Sequence, residues 1–289
     1  KALKLNKKTK LVFILVALFL IGLSVPSYSW TRKNVKEIEA FYNSKLSPII
    51  MIPGSSATEN RFDGLVRKLN QDRRGVKHSL LKVKVWNNGR ITFEGNIRKN
   101  DSEPIIVIGF ENNKDGYSNI KKQAKMMNQA FEALQNKYNF NNFKGLAHSN
   151  GGLIYTAFIE NYLSDYDVKI NSLMTIGTPY NFTETNIKNK SVMLADFIAA
   201  KENIPSTLHV YSVAGTITYD SDELVPDASV SAGKYIYQNQ AKSYTEITVT
   251  GEDAQHSDLP TNDEVVDLIK QHIEGQGLRK KQKTKLEPQ

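Results

Sequence analysis

Midway along the chain stands Gly145-Leu146-Ala147-His148-Ser149-Asn150-Gly151-Gly152. The run before Asn150 ends FKGLAHS and reads as a strand, and the LIYTAFIENYL that follows has apolar residues spaced for a helix. A serine on a tight strand-to-helix turn can serve as a nucleophile. The turn forces it into a strained backbone conformation that exposes its hydroxyl, and small neighbours let strand and helix approach closely, a pattern written G-x-S-x-G. Here Ala147 takes the first small position, and Gly151 and Gly152 follow the serine. The chemistry such a turn supports is attack on an acyl carbon. Taken alone, the same residues also suit an ordinary turn, so the remaining parts of that chemistry must be sought elsewhere in the chain.

A serine hydroxyl is a poor nucleophile at neutral pH. It needs a base to accept its proton and a carboxylate to orient that base. On parallel α/β sheets carrying such a turn, the carboxylate and then the histidine follow in chain order, on loops at the ends of later strands. The chain has five histidines. His78 precedes the serine, His209 lies inside the LHVYSV strand, and His148 abuts the serine with its side chain starting in the wrong direction. His272 sits near the end of the last helix, where a cation suits the dipole. These four read as structural. His256, in GEDAQHSDLPTN between the last strand and the last helix, stands where the base is required.

For the carboxylate, the loop after LHVYSVAG offers Asp220, Asp222, Glu223 and Asp227. Asp222 is favoured because its spacing leaves a short loop that can turn back towards His256. Asp220 is the nearest rival, and any single Asp here can also be a turn-former. Asp253 and Asp258 share the loop of His256 and read as solvated or loop-stabilising. Negative charge developing on a substrate oxygen would need two backbone N–H donors. Asn150, at the start of the helix, supplies one. The other falls to Ser55 or Ser56 in Pro53-Gly54-Ser55-Ser56, where Gly54 lets the backbone turn.

The elements that must position these residues alternate. From Ser47, SPIIMIPG reads as a buried parallel strand, and a helix covers about residues 60–73. LLKVKVW, Asn87-Asn88-Gly89 and RITFEG form a hairpin with an Asn-Gly turn. PIIVIGF (104–110) is a second buried strand. SNIKKQAKMMNQAFEALQNKY then places Ile120, Ala124, Met127, Phe131 and Leu134 on one helical face, as core. After the serine turn come the strands NSLMTI and LHVYSVAG (208–215), then SYTEITVTG (243–251) and a closing helix over 261–273. Residues 181–206 are polar apart from SVMLADFIAA and read as a partly helical insertion over the site, a possible lid. Such alternation predicts an α/β fold, with a mostly parallel sheet covered on both faces and its site beyond the carboxyl ends of the strands.

Length and composition bound the rest. At 289 residues, one large α/β domain with a substantial core is expected. The absence of cysteine excludes disulfides, thiol catalysis, cysteine-ligated zinc and a lipid-modified N-terminal cysteine. The net charge of +8 belongs to the ends, since residues 11–278 carry 28 basic against 29 acidic side chains. No basic stripe with interleaved aromatics is present, which argues against nucleic-acid binding. Residues 1–30 have the layout of an export signal: a lysine-rich start, the uncharged LVFILVALFLIGLSV (residues 11–25), a helix break at Pro26, and small residues for a peptidase. The same segment could remain as an uncleaved membrane tether. Residues 31–46 read as a polar spacer, helical or not, before a domain over 47–274. The basic residues of 275–289 read as a solvated tail, with binding to anionic surface polymer as the alternative.

IIMIPGSSAT, GLAHSNGG, TIGTPYNF, SDELVP and AQHSDLP together resemble the α/β-hydrolase superfamily over about residues 47–274. Within it, the chain is similar to an uncharacterised exported, cell-surface family of Gram-positive bacteria. The resemblance implies an acyl-enzyme mechanism in which Ser149 attacks, His256 is general base and then acid, and Asp222 orients it. It also implies catalysis without metal or organic cofactor. Pro53 stands where many relatives have His, which keeps the backbone donor and removes one supporting hydrogen bond. The function expected is an exported serine hydrolase acting on a carboxylic ester, a small molecule or an acylated surface polymer. The alternatives are a lipase, which would want a more apolar lid, and a surface-binding protein on an inactive hydrolase scaffold. Oligomeric state is not legible.

Overall fold

The computed structural model describes residues 6–71, 76–217 and 219–274, so the basic segment 275–289 lies outside the described residues. The chain divides after Ser44 into two compact units. The first is helix α1 (Lys7–Tyr42), about 54 Å long at 1.5 Å per residue. Asn6 caps it by accepting from the Thr9 N–H at 2.8 Å. Among the described residues this is the one helix long and apolar enough to cross a membrane. Pro26 lies inside α1 and does not end it, contrary to the break expected from sequence. A proline leaves the carbonyl four residues back, here that of Gly22, without its N–H donor and crowds it with the ring, and the long helical runs on both sides continue through the defect. The helix also runs through most of the segment read as a spacer.

The second unit is built on an eight-stranded sheet. Strand β1 (Ile49–Ile52) is buried at every position because both of its faces are covered. Alternate side chains leave opposite faces of a strand. Ile50 and Ile52 accordingly enter one apolar cluster and Ile49 and Met51 another. Helix α2 (Asp63–Gln71) follows, and then β2 (Leu80–Val85) and β3 (Ile91–Gly95) form the expected hairpin. Beyond it run β4 (Ile105–Phe110), α3 (Tyr117–Tyr138), β5 (Asn142–His148), α4 (Asn150–Asn161) and β6 (Lys169–Ile176). The chain continues with α5 (Val192–Ala200), β7 (His209–Thr216), the short helices α6 (Asp227–Ser231) and α7 (Lys234–Tyr237), β8 (Ser243–Thr250) and α8 (Asp263–His272).

The strand order is β3-β2-β4-β1-β5-β6-β7-β8, parallel throughout except for the β2–β3 hairpin. Helices α3, α4 and α5 bury their apolar residues in one cluster, and α2 and α8 bury theirs in the other. Phe131, on the predicted apolar face of α3, is fully buried and meets the rings of Phe143, Phe158 and Tyr166 at 5.0, 5.1 and 4.9 Å. Burying such a ring is worth roughly 1.5–3 kcal/mol. The segment 181–206 is partly helical and divides between core and cleft. Met193, Leu194 and Phe197 of α5 enter the main core, and only Phe182 and Thr183 reach the cleft described below. An apolar stripe flanked by polar residues is as suited to docking on α4 as to covering an opening. The short α6 and α7 carry no long periodic pattern and were not anticipated.

Candidate active site

Every singled-out residue sits just beyond the carboxyl end of a strand. Gly54 and Ser55 follow β1, and Ser149 follows β5, its immediate neighbour in the sheet. Asp222 and His256 follow β7 and β8, which also pair. The sequence separations of 34 and 107 residues between them are therefore closed by the sheet itself.

Ser149 has φ 56° and ψ −134°, a conformation that costs a non-glycine residue on the order of 1–3 kcal/mol. Close approach at this turn requires glycine on both sides of it. A Cβ on Gly151 would stand 2.2 Å from the Ile52 carbonyl oxygen, and one on Gly54 would stand 2.6 Å from the Ser149 Cβ. Helix α4 thus sits directly against the end of β1, which brings the Ser55 loop to the serine.

His256 Nε2 lies 2.9 Å from Ser149 Oγ, and its Nδ1 lies 2.6 Å from Asp222 Oδ2. Both His256 and Asp222 are buried. The other Asp222 oxygen accepts from the N–H groups of Leu224 and Val225 at 3.1 and 2.7 Å, so the carboxylate is fixed by its own turn. Asp220, the rival in sequence, is exposed. Strand β6 lies between β5 and β7, so the imidazole must pass over its end to reach Ser149. The residue there is Gly177, with φ +56°. A Cβ on it would press to 3.1 Å on both Asp222 Oδ2 and His256 Nδ1.

Further contacts hold the His256 loop. The His256 N–H donates to the Asp222 carbonyl at 3.0 Å, Arg61 Nη2 donates to the Ser257 carbonyl, and His148 Nε2 donates to the His256 carbonyl at 2.9 Å. Burial lowers the His148 pKa well below the ordinary histidine value, and the neighbouring His256 and Arg61 push it the same way. A neutral ring with its proton on Nε2 matches that hydrogen bond. Sequence reasoning read His148 as structural and missed this link. The strand carries its side chain away from the serine, but the histidine loop folds over onto it, with the two rings 4.8 Å apart. The three other histidines are engaged elsewhere: His78 with Glu274, His209 with Ser243, and His272 stacked on Tyr211.

Of the two serines offered as oxyanion donors, Ser56 is corrected. Its N–H already donates to the Asn113 carbonyl at 2.8 Å, leaving Ser55 on that loop. Asn150 is the first residue of α4, so its N–H has no intrahelical acceptor. Asp115, beyond the end of β4, was also missed. Its loop ENNKDG is polar and follows a fully buried strand, the signal that could have marked it. Together these residues border a cleft of about 560 Å³, whose walls include Phe182, Leu224 and Val225. A hydroxyl bonded to an imidazole, itself bonded to a buried carboxylate, can give up its proton as it attacks a carbonyl carbon.

A mostly parallel sheet with a strained serine between its fifth strand and the following helix, and a histidine and an aspartate from its last loops, defines an α/β hydrolase. The chain belongs to the family described as alpha/beta hydrolase of unknown function (DUF915), whose model matches residues 36–276. It is similar to a Lactobacillus plantarum protein provisionally described as a cell surface hydrolase, at 50% sequence identity and TM-score 0.73, covering 79% of this chain and 91% of that one. A Listeria innocua protein is similar at 29% identity and TM-score 0.72, covering 78% and 92%. Comparison with curated proteins gave no match.

Proposed function

We propose that this chain hydrolyses a carboxylic ester through an acyl-enzyme and works at the cell surface, exported behind α1 or tethered by it. The observation that carries the reading is the run Asp222–His256–Ser149, with contacts of 2.6 and 2.9 Å. Ser149 Oγ attacks the ester carbon while its proton passes to His256 Nε2, and the carbonyl electron pair moves onto oxygen. The N–H groups of Ser55 and Asn150 receive that oxygen. Collapse expels the alcohol, which takes the proton from His256. Water then attacks the acyl-serine by the same route, with His256 again as base. Asp222 holds the ring in the tautomer that keeps Nε2 free to accept.

A second reading, a lipid ester, is favoured by the cleft wall. Leu224 is 64% exposed there beside Val225 and Phe182, which suits a hydrocarbon chain better than a charge. Hydrolysis of p-nitrophenyl esters of increasing acyl length by the full chain in detergent tests both readings. Activity is expected, and it should be lost by 10³-fold or more in Ser149→Ala and His256→Ala and somewhat less in Asp222→Asn. Preference for long chains selects the lipid reading. Equal rates for wild type and Ser149→Ala would refute both.

A further inference from the structure

At the cleft an amide stands between a carboxylate and a hydroxyl. Asn150 Nδ2 lies 2.6 Å from Asp115 Oδ1 and 2.7 Å from Ser55 Oγ. An ionised carboxylate only accepts hydrogen bonds, so the end of the Asn150 amide facing Asp115 must be the NH₂. That assignment fixes Ser55 as well. An amide NH₂ has no lone pair to offer, so the Ser55 oxygen must accept from it, and its own proton is left over. Among the described residues no group accepts that proton. Ser55 follows Gly54, whose added Cβ would stand 3.2 Å from Ser149 Oγ, and it lines the cleft with Ser149 and Asn150.

We propose that the Ser55 hydroxyl donates to the substrate carbonyl oxygen as it becomes an oxyanion, a third donor beside the two backbone N–H groups. Asp115 and Asn150 are then positioning residues, the carboxylate setting the amide and the amide turning the hydroxyl proton towards the cleft. Ser55 keeps its proton throughout. The proton transferred in the attack goes from Ser149 to His256, and the new negative charge rests on the substrate oxygen. This inference rests on the reading of Ser149 as nucleophile and adds to it a catalytic side chain and the two groups that aim it.

The test measures kcat and KM for p-nitrophenyl butyrate with the full chain in detergent. Ser55→Ala should lower kcat by about 10²-fold with KM little changed, as for loss of one oxyanion donor. Ser55→Thr, which keeps the hydroxyl, should restore most of the rate. Asn150→Asp should cost as much as Ser55→Ala, because a carboxylate there accepts the Ser55 proton and turns it away from the substrate. The double variant should be no worse than either single one. If Asn150→Asp fails to fold, Asp115→Asn takes its place, with a smaller loss expected because the amide is then free to flip. A Ser55→Ala rate within twofold of wild type, with Ser149→Ala inactive, would overturn the inference and leave the Ser149 reading standing. Full additivity in the double variant would overturn the positioning role. A wild type without hydrolysis would remove the Ser149 reading and this inference with it.

Discussion

Single residues carry both backbone strain and costly polar burial in this molecule. Ser149 holds a positive φ because Gly54 and Gly151 let two backbones meet around it, and Gly177 stays bare so that the imidazole can pass. Glu160, in the last turn of α4, is buried with one carboxyl oxygen that has no hydrogen-bond partner. Burial pushes its pKa up to about 9. From the ordinary carboxylate range up to that value, the folded chain keeps a proton that the unfolded chain has released. Stability contributed by the protonated group is therefore complete in acid and falls as pH rises, by up to about 1.4 kcal/mol per pH unit. Glu160→Gln removes the titration. Urea unfolding of both proteins at pH 5 and pH 8 should show the variant gaining on wild type by a few kcal/mol at the higher pH. Parallel pH dependences would contradict the buried, protonated carboxyl.

At the scale of elements, the decisive junction is that of β1, β5 and α4. Gly151→Ala places a methyl group against the Ile52 and Pro53 carbonyl oxygens, at 2.2 and 2.8 Å before any shift. Neither contact is a flexible side chain. The helix must back away from the sheet, and a cost of about 3 kcal/mol or more is expected from this overpacking. The drop in urea midpoint checks it, and an unchanged midpoint would show that α4 is not seated this closely. This junction was legible in sequence, because a buried apolar strand, a small-residue turn and a helical period each leave a local pattern. Asp222 and His256 were legible through chain order and loop position. His148, Arg61 and Asp115 were not, since what they do depends on where the histidine loop and the β4–α3 loop fold back in three dimensions. The place of α5 was hidden for a related reason. A short amphipathic stripe does not say which surface it will cover.

For the whole molecule, the sheet order explains why a site can be assembled from residues spread between Gly54 and His256. Parallel crossovers bring the carboxyl end of every strand except the antiparallel β3 to one edge, and the central pair β1 and β5 sets the serine beside its oxyanion loop. The near-neutral body and the separate helix α1 agree with an enzyme domain delivered to or held at a membrane, in line with the surface location proposed above. In the proposed mechanism Ser149 is a nucleophile made reactive by His256. The most direct measurement is treatment of the full chain with a fluorophosphonate, followed by mass spectrometry of its peptides. One adduct on Ser149, absent from Ser149→Ala and from His256→Ala, is the predicted result. A folded wild type left unmodified, or modified equally in the His256→Ala variant, would contradict the account.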